Sequence, residues 1–565
     1  MYNSIVTIIG EALKKAYGVS TEVTLRASEN PLHGDITSPI AMEIGKQLKK
    51  PPQEIAEMLA HVLTGAENIE RVEVAGPGFL NITLTVAARL EEMEGAREAC
   101  RRKESRQEPP VILEYSQPNI AKPLGVHHIL STVIGQAVSN LYRHLGFHVL
   151  SWNYIGDWGT QFGKLAVAME HWGEKGKEAS DYTLDELLDL YVKFHEEVEA
   201  HPELEDESRT AFRKLEQGDR ALRAFWKDVV AVTSESIQKI YARLYVAFDE
   251  TKGESFYEDK MAAVIEEGKR KGVFKEGEEG ALIVEFPEGS NLPVYMVMKG
   301  DGATLYATRD LAQMRYRIDT YHPRAILIFT DIAQQLYFEQ LETTCRKLGW
   351  ELPEFENVLF GRMSFPDKAM STRKGNILKL EDVLDEAVRR ADVLIAEHES
   401  QVRGEERMAL AEMMGVGAVV YTILSQSRKT NIIFTWEKAL TFEGNSGPYL
   451  QYTHARARSV LRKAGARPIS PPKHVETLEP AEQNLMKHLA QFPLTLEQAR
   501  AEAMPHKVAN YLYGLSQSFN SFYSALPILD TAEPQRSLRL ALTELTADAL
   551  KVGAEILTLR VPDRM

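Results

Sequence analysis

Cysteine is almost missing: Cys100 and Cys345 are the only two in 565 residues. No Cys-x-x-Cys occurs, so neither a cysteine-based structural zinc site nor a disulfide framework is expected. Both thiols read as buried or half-buried, and the composition suits a reducing compartment. The N-terminus carries no basic leader followed by an apolar core and a small-residue cleavage site. Apolar runs near the ~18 residues of a membrane span are not apparent. These absences predict a cytoplasmic chain with no membrane partner. Positive charge is not in excess: 66 Lys and Arg stand against 81 Asp and Glu, a net charge of −15. Taken alone, that argues against a general nucleic-acid coat. A local basic surface stays open, because phosphate attraction acts within a Debye length of about 8–10 Å. Neither Gly-x-Gly-x-x-Gly nor a Walker lysine is present, so the dinucleotide-binding and P-loop readings fail.

The composition that remains, 44% hydrophobic and 26% charged, is that of a folded globular protein. At roughly 100–200 residues per domain, the length predicts three or four domains. Residues 1–108 mix helix and strand patterns: an amphipathic N-terminal helix, a proline-started helix at PPQEIAEMLAHVL, and two strands around Gly-Pro-Gly in VEVAGPGFLNITL. Pro109–Pro110 marks the first boundary. From 109 to 378 strands alternate with helices. VILEY (111–115), a helix over 127–145 and HVLSWNYIG (148–156) form one βαβ unit of a parallel nucleotide-binding sheet. A charged helical insertion is expected at about 170–260. ALIVEF, PVYMVM and ATLYA read as strands, and RAILIF (324–329) as a buried one. Beyond 378 the pattern is helical throughout: a connector over 379–440, then an all-α domain over 441–565. The predicted class is therefore α/β: a Rossmann-like catalytic domain with an N-terminal α+β domain and a C-terminal all-α domain.

Four stretches could carry chemistry. In VILEYSQPNIAKPLGVHH a strand leads through a loop to a helix start. There the free N–H groups and helix dipole favour an anion, and His128 could bond a phosphate oxygen. By position alone a half-buried histidine pair is equally consistent. IGDWGTQFGKL (155–165) makes a glycine-rich turn where a flat ligand could approach the backbone, or simply a structural turn. In ATLYATRDLAQ (303–313) a strand ending at Leu305–Ala307 would point Tyr306 and Asp310 into the crevice, a carboxylate suited to a cation. A core tyrosine and a helix-capping aspartate are the alternative. DKAMSTRKGN (367–376) is a basic loop able to close over polyphosphate, or a solvated turn.

Each stretch is weak alone, but their order and spacing are specific. YSQPNIAKP, IGDWGTQFGKL, YATRDLA, MSTRKG, FEGNSGPYLQYTHARARS, VPDRM, NPLHGD and GPGFLN together resemble the arginyl-tRNA synthetases, of class I, over the whole length. The resemblance implies ATP-driven formation of arginyl-adenylate and transfer of arginine to the 3′ end of tRNA(Arg). The partners implied are L-arginine, ATP with Mg²⁺, and tRNA(Arg); a monomer is expected. It places Tyr306 and Asp310 in the guanidinium pocket, with Glu114, Asn119 and Gln334 as further arginine contacts. Asn119 and Gln334 would lie near the α-amino and carboxylate end. On the ATP side stand Ser116, Gly125, His127, His128, Gly156, Asp157, Gly159, Met370, Ser371 and Arg373. His127, His128, Lys122 and Lys374 are the expected catalytic set. The N-terminal domain would touch the tRNA elbow and the C-terminal helices the anticodon, with Arg456, Arg458 and Arg462 on a basic face, or on a solvated one.

Two departures from the family pattern matter. His-x-Gly-His becomes Gly125-Val126-His127-His128, so only His128 keeps register. If Gly125 were helical, His127 would lie about 160–200° away from it and could not replace the lost side chain. If Gly125 precedes the helix, a reshaped turn could bring His127 to the nucleotide. The lysine-rich signature KMSKS becomes Ala369-Met370-Ser371-Thr372-Arg373 and keeps neither lysine. Lys122, just upstream of the histidine motif, and Lys374 are the substitutes the resemblance offers. A tRNA-binding paralogue with a decayed site, or a ligase for another amino acid, are the competing readings. The set Asn119, Tyr306, Asp310 and Gln334 argues against both.

Overall fold

The computed structural model describes residues 2–27, 34–365, 378–398, 402–465, 471–472 and 474–565. The basic loop 367–376 therefore lies outside the described residues, and with it Met370, Ser371, Arg373 and Lys374.

The N-terminal residues form a small α+β unit. A four-stranded antiparallel sheet, with Ile36–Ser38 and Ile69–Ala75 flanking Phe79–Leu84, carries the helices Tyr2–Tyr17, Ile40–Leu48 and Pro52–Leu63. Apolar residues at helical spacing (Ile5, Ile9, Leu13; Ile55, Leu59, Leu63) make its core.

The central domain is built on five parallel strands: β1 (Val111–Glu114), β2 (Val149–Asn153), β3 (Glu250–Thr251), β4 (Ala325–Asp331) and β5 (Glu354–Phe360). Their spatial order is β5-β4-β1-β2-β3. Both faces are covered, so the central strands β1 and β4 begin as unbroken apolar runs, Val111–Leu113 and Ala325–Phe329. Alternate residues still sort to opposite sides. Val111, Leu113, Leu327 and Phe329 face the core around helix α1 (His128–His144). Ile112, Ile326 and Ile328 face the core around α3 (Tyr306–Tyr321) and α4 (Gln335–Lys347). Gly135 lets α1 approach the sheet closely: a Cβ there would lie 2.2 Å from the Tyr115 ring.

After β2 comes α2 (Thr160–Trp172), and then the helical insertion Leu184–Glu197, Glu203–Glu216 and Arg220–Arg243. The insertion packs its own apolar core against Trp158 and Phe162.

Three expectations need correction. ATLYA is not a strand. Only a single bridge joins Met298 to Thr304, and Tyr306 already begins α3. The Leu305 N–H donates to the Thr308 hydroxyl, which opens the helix there. The region beyond 378 is not purely helical, because Ile432–Ile433 pairs in parallel with Met363–Ser364. Among the described residues, one helix, Gly404–Leu424, is long and apolar enough to cross a membrane; two thirds of that stretch is buried within the molecule, as in a core helix.

Candidate active site

Strand order reverses at β1, which lies between β4 and β2. In an open parallel sheet, ligands bind beyond the carboxyl ends at such a switch point. The loops leaving β1, β2 and β4 converge there, and they carry most of the predicted residues.

Gly125 precedes the helix. Its C=O accepts from the His128 N–H (3.0 Å), and α1 begins at His128 with His127 at the capping position. The segment is also stapled to the far side of the basic loop. Val126 N–H donates to Leu378 C=O (3.0 Å), Leu380 N–H donates to Leu124 C=O (2.8 Å), and Gly125 bridges Lys379. The Gly125 N–H then donates to Nδ1 of His128 (3.1 Å). With Nδ1 accepting, the neutral ring carries its proton on Nε2. Burial, with His127 alongside, pulls the His128 imidazole down to about 4, so the ring stays neutral near pH 7. His127 is exposed, and its ring centre lies 3.9 Å from that of His128. Burial lowers its pKa as well.

The loops after β1 and β2 are zipped together. Gly156 N–H donates to Pro118 C=O (2.9 Å) and Ile120 N–H to Gly156 C=O (3.1 Å). Gly156 is required for this approach: a Cβ would fall 2.5 Å from Asn119 Oδ1. Asn119 itself is exposed at the crevice. Gly159, at φ 149°, caps α2. Two residues expected on the ATP side turn inward instead. Ser116 is buried at φ 77°, with its hydroxyl bonded to Tyr241 (2.7 Å) and Thr132 (2.8 Å). Asp157 is buried and accepts from the Ser255 N–H (2.9 Å) and hydroxyl (2.6 Å), pinning the segment after β3. Their side chains hold loops in place and do not open onto the crevice.

Tyr306, 69% exposed, stands at the mouth in the first turn of α3. One turn further along, Asp310 accepts a hydrogen bond from the Tyr337 hydroxyl. Burial pushes the Asp310 carboxyl up to about 7; the Tyr337 bond opposes this, the nearby Glu114 adds to it, and Arg317 opposes it. Gln334 is exposed at the end of β4, capping α4. Glu114, expected as an arginine contact, is 2% exposed and already paired with the buried Arg317, while Gln117 Nε2 donates to its other oxygen (2.5 Å).

Lys122 is half-buried, with its ammonium 5.2 Å from the Tyr191 ring centre on the insertion helix Leu184–Glu197. The same helix takes Lys379, from the staple, onto Asp185 (2.7 Å). On α5 (Gly447–Ala464), Arg456 stacks on Tyr452 and Tyr523 and donates to Asn520 (2.6 Å). Arg458 and Arg462 are tethered to the C-terminal tail through the Asp563 carboxylate (3.2 Å) and carbonyl (2.6 Å). The expected basic face is thus partly neutralised. Among the described residues, no group of three or more His, Cys, Asp or Glu is placed to hold a metal ion. Both cysteines are free thiols; burial pushes Cys100 up to about 12 and Cys345 higher still.

Arg317, Tyr337, Tyr191, Asp185 and Lys379 did not emerge from the sequence. Only Tyr337 had a usable signal, as it lies three residues after Gln334.

The chain has relatives along its whole length. Residues 94–436 match the family described as tRNA synthetases class I (R), catalytic domain. Residues 450–565 match the DALR anticodon binding domain, and residues 3–84 the arginyl tRNA synthetase N terminal domain. Arginine--tRNA ligase of Fusobacterium nucleatum is 38% identical over 546 residues, covering 96% of this chain and 95% of that protein. The Enterococcus faecalis ligase is 38% identical over 547 residues, with 95% of each chain covered. The solved Thermus thermophilus arginyl-tRNA synthetase superposes with a TM-score of 0.83 at 25% identity, over 100% of both chains. The chain belongs to the class I arginyl-tRNA synthetases, the ligases that charge tRNA(Arg) with arginine.

Proposed function

We propose that L-arginine lies in the crevice beyond β1 and β4 with its guanidinium on Asp310, and that ATP lies along the stapled Gly125–His128 turn. The observation that carries this reading is the partly buried Asp310 carboxylate, held by Tyr337 beneath the exposed Tyr306. A planar fork of donors satisfies such a carboxylate, whereas the point charge of lysine does not. Asn119 and Gln334, exposed on the neighbouring loops, take the α-amino and carboxylate end.

Activation needs no protein nucleophile. A carboxylate oxygen of arginine attacks the α-phosphorus in line, the bond to the bridging oxygen breaks, and pyrophosphate leaves. A ribose hydroxyl at the tRNA 3′ end then attacks the activated carbonyl and AMP departs. The protein contributes positioning and stabilisation of charge. His128, neutral with its proton on Nε2, donates to a phosphate oxygen. Lys122 supplies the lysine charge that the signature has lost; Lys374 and the other loop residues remain candidates. Among the described residues, no group of three or more His, Cys, Asp or Glu could hold a metal ion. A Mg²⁺ accompanying ATP would be carried on the phosphates and screen their charge.

We assign residues 1–108 to the tRNA elbow and 441–565 to the anticodon, with 379–440 as connector, in a cytoplasmic monomer. ATP–pyrophosphate exchange, with and without tRNA(Arg), tests the site. Asp310→Asn is expected to raise the KM for arginine at least 100-fold and to leave the KM for ATP within about threefold, the cost of an unpaired buried charge. Unchanged arginine KM would remove Asp310 from the pocket.

A further inference from the structure

Most lysines that lie over an aromatic ring in this molecule are also paired with a carboxylate. Lys164 lies over Phe194 and pairs with Glu205 (3.2 Å), Lys177 over Tyr182 with Glu186 (2.9 Å), and Lys260 over Phe256 with Asp259 (2.6 Å). Lys122 differs. Its ammonium is 5.2 Å from the Tyr191 ring centre, inside the ~6 Å reach of a cation–π contact, and it has no ion pair among the described residues. Lys193, over Trp172, shares that lack but is exposed on the insertion, whereas Lys122 is half-buried. The one carboxylate felt by the Tyr191 hydroxyl, Glu205, is occupied by Lys164. Both sides of the contact are held. Pro123 keeps Lys122 out of helical backbone. The Ala121 N–H donates to the Thr233 hydroxyl (3.2 Å) on the insertion helix Arg220–Arg243. The Tyr191 ring packs on the insertion core, with the His195 ring against it (4.7 Å, T-shaped).

We propose that Tyr191 is a positioning residue for adenylate formation: its ring holds the Lys122 ammonium in place, with its charge uncancelled, for the phosphates of ATP. That role rests on the reading of Lys122 as the lysine that acts on the phosphates. An aromatic face attracts an ammonium through its quadrupole and carries no net charge. A carboxylate in the same place would neutralise the ammonium and compete with the phosphates for it. A ring therefore restricts where the lysine points and leaves its full charge to the nucleotide. The insertion then takes part in the chemistry through the loop after β1, which it grips twice, at the Ala121 N–H and at the Lys122 ammonium.

The test is a double-variant cycle in ATP–pyrophosphate exchange on the full chain with tRNA(Arg), at saturating ATP and arginine. Tyr191→Leu, which keeps the bulk and loses the face, is expected to slow exchange by about fourfold or more and to leave the arginine KM within about twofold. Tyr191→Phe, which keeps the face and loses the hydroxyl, retains more than half of the rate. In the K122A background Y191L has nothing left to position, so K122A/Y191L is no more than about twofold slower than K122A. A purely structural role for Tyr191 predicts instead that the two losses multiply; that result overturns the proposal. So does a Y191F variant as slow as Y191L, or a Y191L variant at the full rate. Tyr191→Met replaces Y191L in the cycle if the leucine variant fails to fold. Lys122→Ala alone separates the two claims: if it exchanges at the full rate, the reading of Lys122 fails and the role of Tyr191 with it, whereas a slow K122A beside a normal Y191L removes only Tyr191.

Discussion

At the scale of single residues, the order Gly-Val-His-His is a solved turn. Gly125 stands before the helix and uses its N–H to fix the tautomer of His128. Nε2 is the end left for a phosphate, so glutamine, whose amide nitrogen reaches that position, should replace His128 better than asparagine does. His128→Asn is expected to cut pyrophosphate exchange by ~10²-fold or more, the scale of a lost transition-state donor, and His128→Gln by several-fold less. Equal losses would place the contact elsewhere. Asp310 makes a pH prediction whose sign differs from the common carboxylate case. Its carboxyl is raised from the usual 3.8 to about 7, so between those values the free enzyme holds a proton that the unfolded chain has released. Its contribution to stability therefore falls as pH rises from about 4 to about 7. Bound arginine requires the ionised form, so affinity rises over the upper part of that window and levels off above it. Calorimetry in two buffers of different ionisation enthalpy should detect close to one proton released per arginine bound at pH 6, and close to none at pH 8.5. Motif register pointed to Asp310 and His128, and the fold brings both to the carboxyl ends of the parallel strands. It did not show that the Ser116 and Asp157 side chains turn inward, because register gives a residue's place along a loop but not the direction of its side chain. Both sit in glycine- and proline-punctuated turns where a positive φ or a distant hydroxyl decides that direction.

At the scale of elements, the βαβ unit was legible from its texture: runs apolar on both faces, with a helix repeating every three to four residues between them. The break at Tyr306 was not, because a short apolar run ending in Tyr-Ala suits a strand or a first helical turn equally. What the period could not reveal is how closely elements approach. Gly135 faces the Tyr115 ring at a distance with no room for a methyl group. Gly135→Ala should cost about 1–3 kcal/mol in urea unfolding, the usual range for an overpacked core. The insertion helix Leu184–Glu197 holds two lysines that belong to different loops, Lys122 through Tyr191 and Lys379 through Asp185. Lys122→Ala is expected to slow adenylate formation at least tenfold, in line with losing a charge that acts on the phosphates. A near-normal exchange rate would hand that role to Lys374.

At the scale of the whole molecule, a net charge of −15 coexists with a local cluster of arginines on α5, two of which are tied to the C-terminal tail. The Asp563 carboxylate of the C-terminal tail sits on Arg458. Asp563→Asn should free that arginine, tighten tRNA binding at low salt and steepen the logarithmic salt dependence by about one charge. An unchanged slope in filter binding would take Arg458 out of the phosphate contacts. The terminal units also touch each other: Arg97 pairs with Glu544 (3.2 Å), and Lys487, from the C-terminal helices, donates to Gly34 C=O (3.1 Å). The staple between residues 124–126 and 378–380 joins segments about 250 residues apart in sequence, across the whole Rossmann-like domain and its insertion. Closing so long a loop comes late, since its ends meet only after everything between them exists. On the ribosome, a chain that has not yet emerged past residue 380 lacks the clasp that shapes its histidine turn. A nascent copy therefore lacks the stapled histidine turn until about two thirds of it has been made.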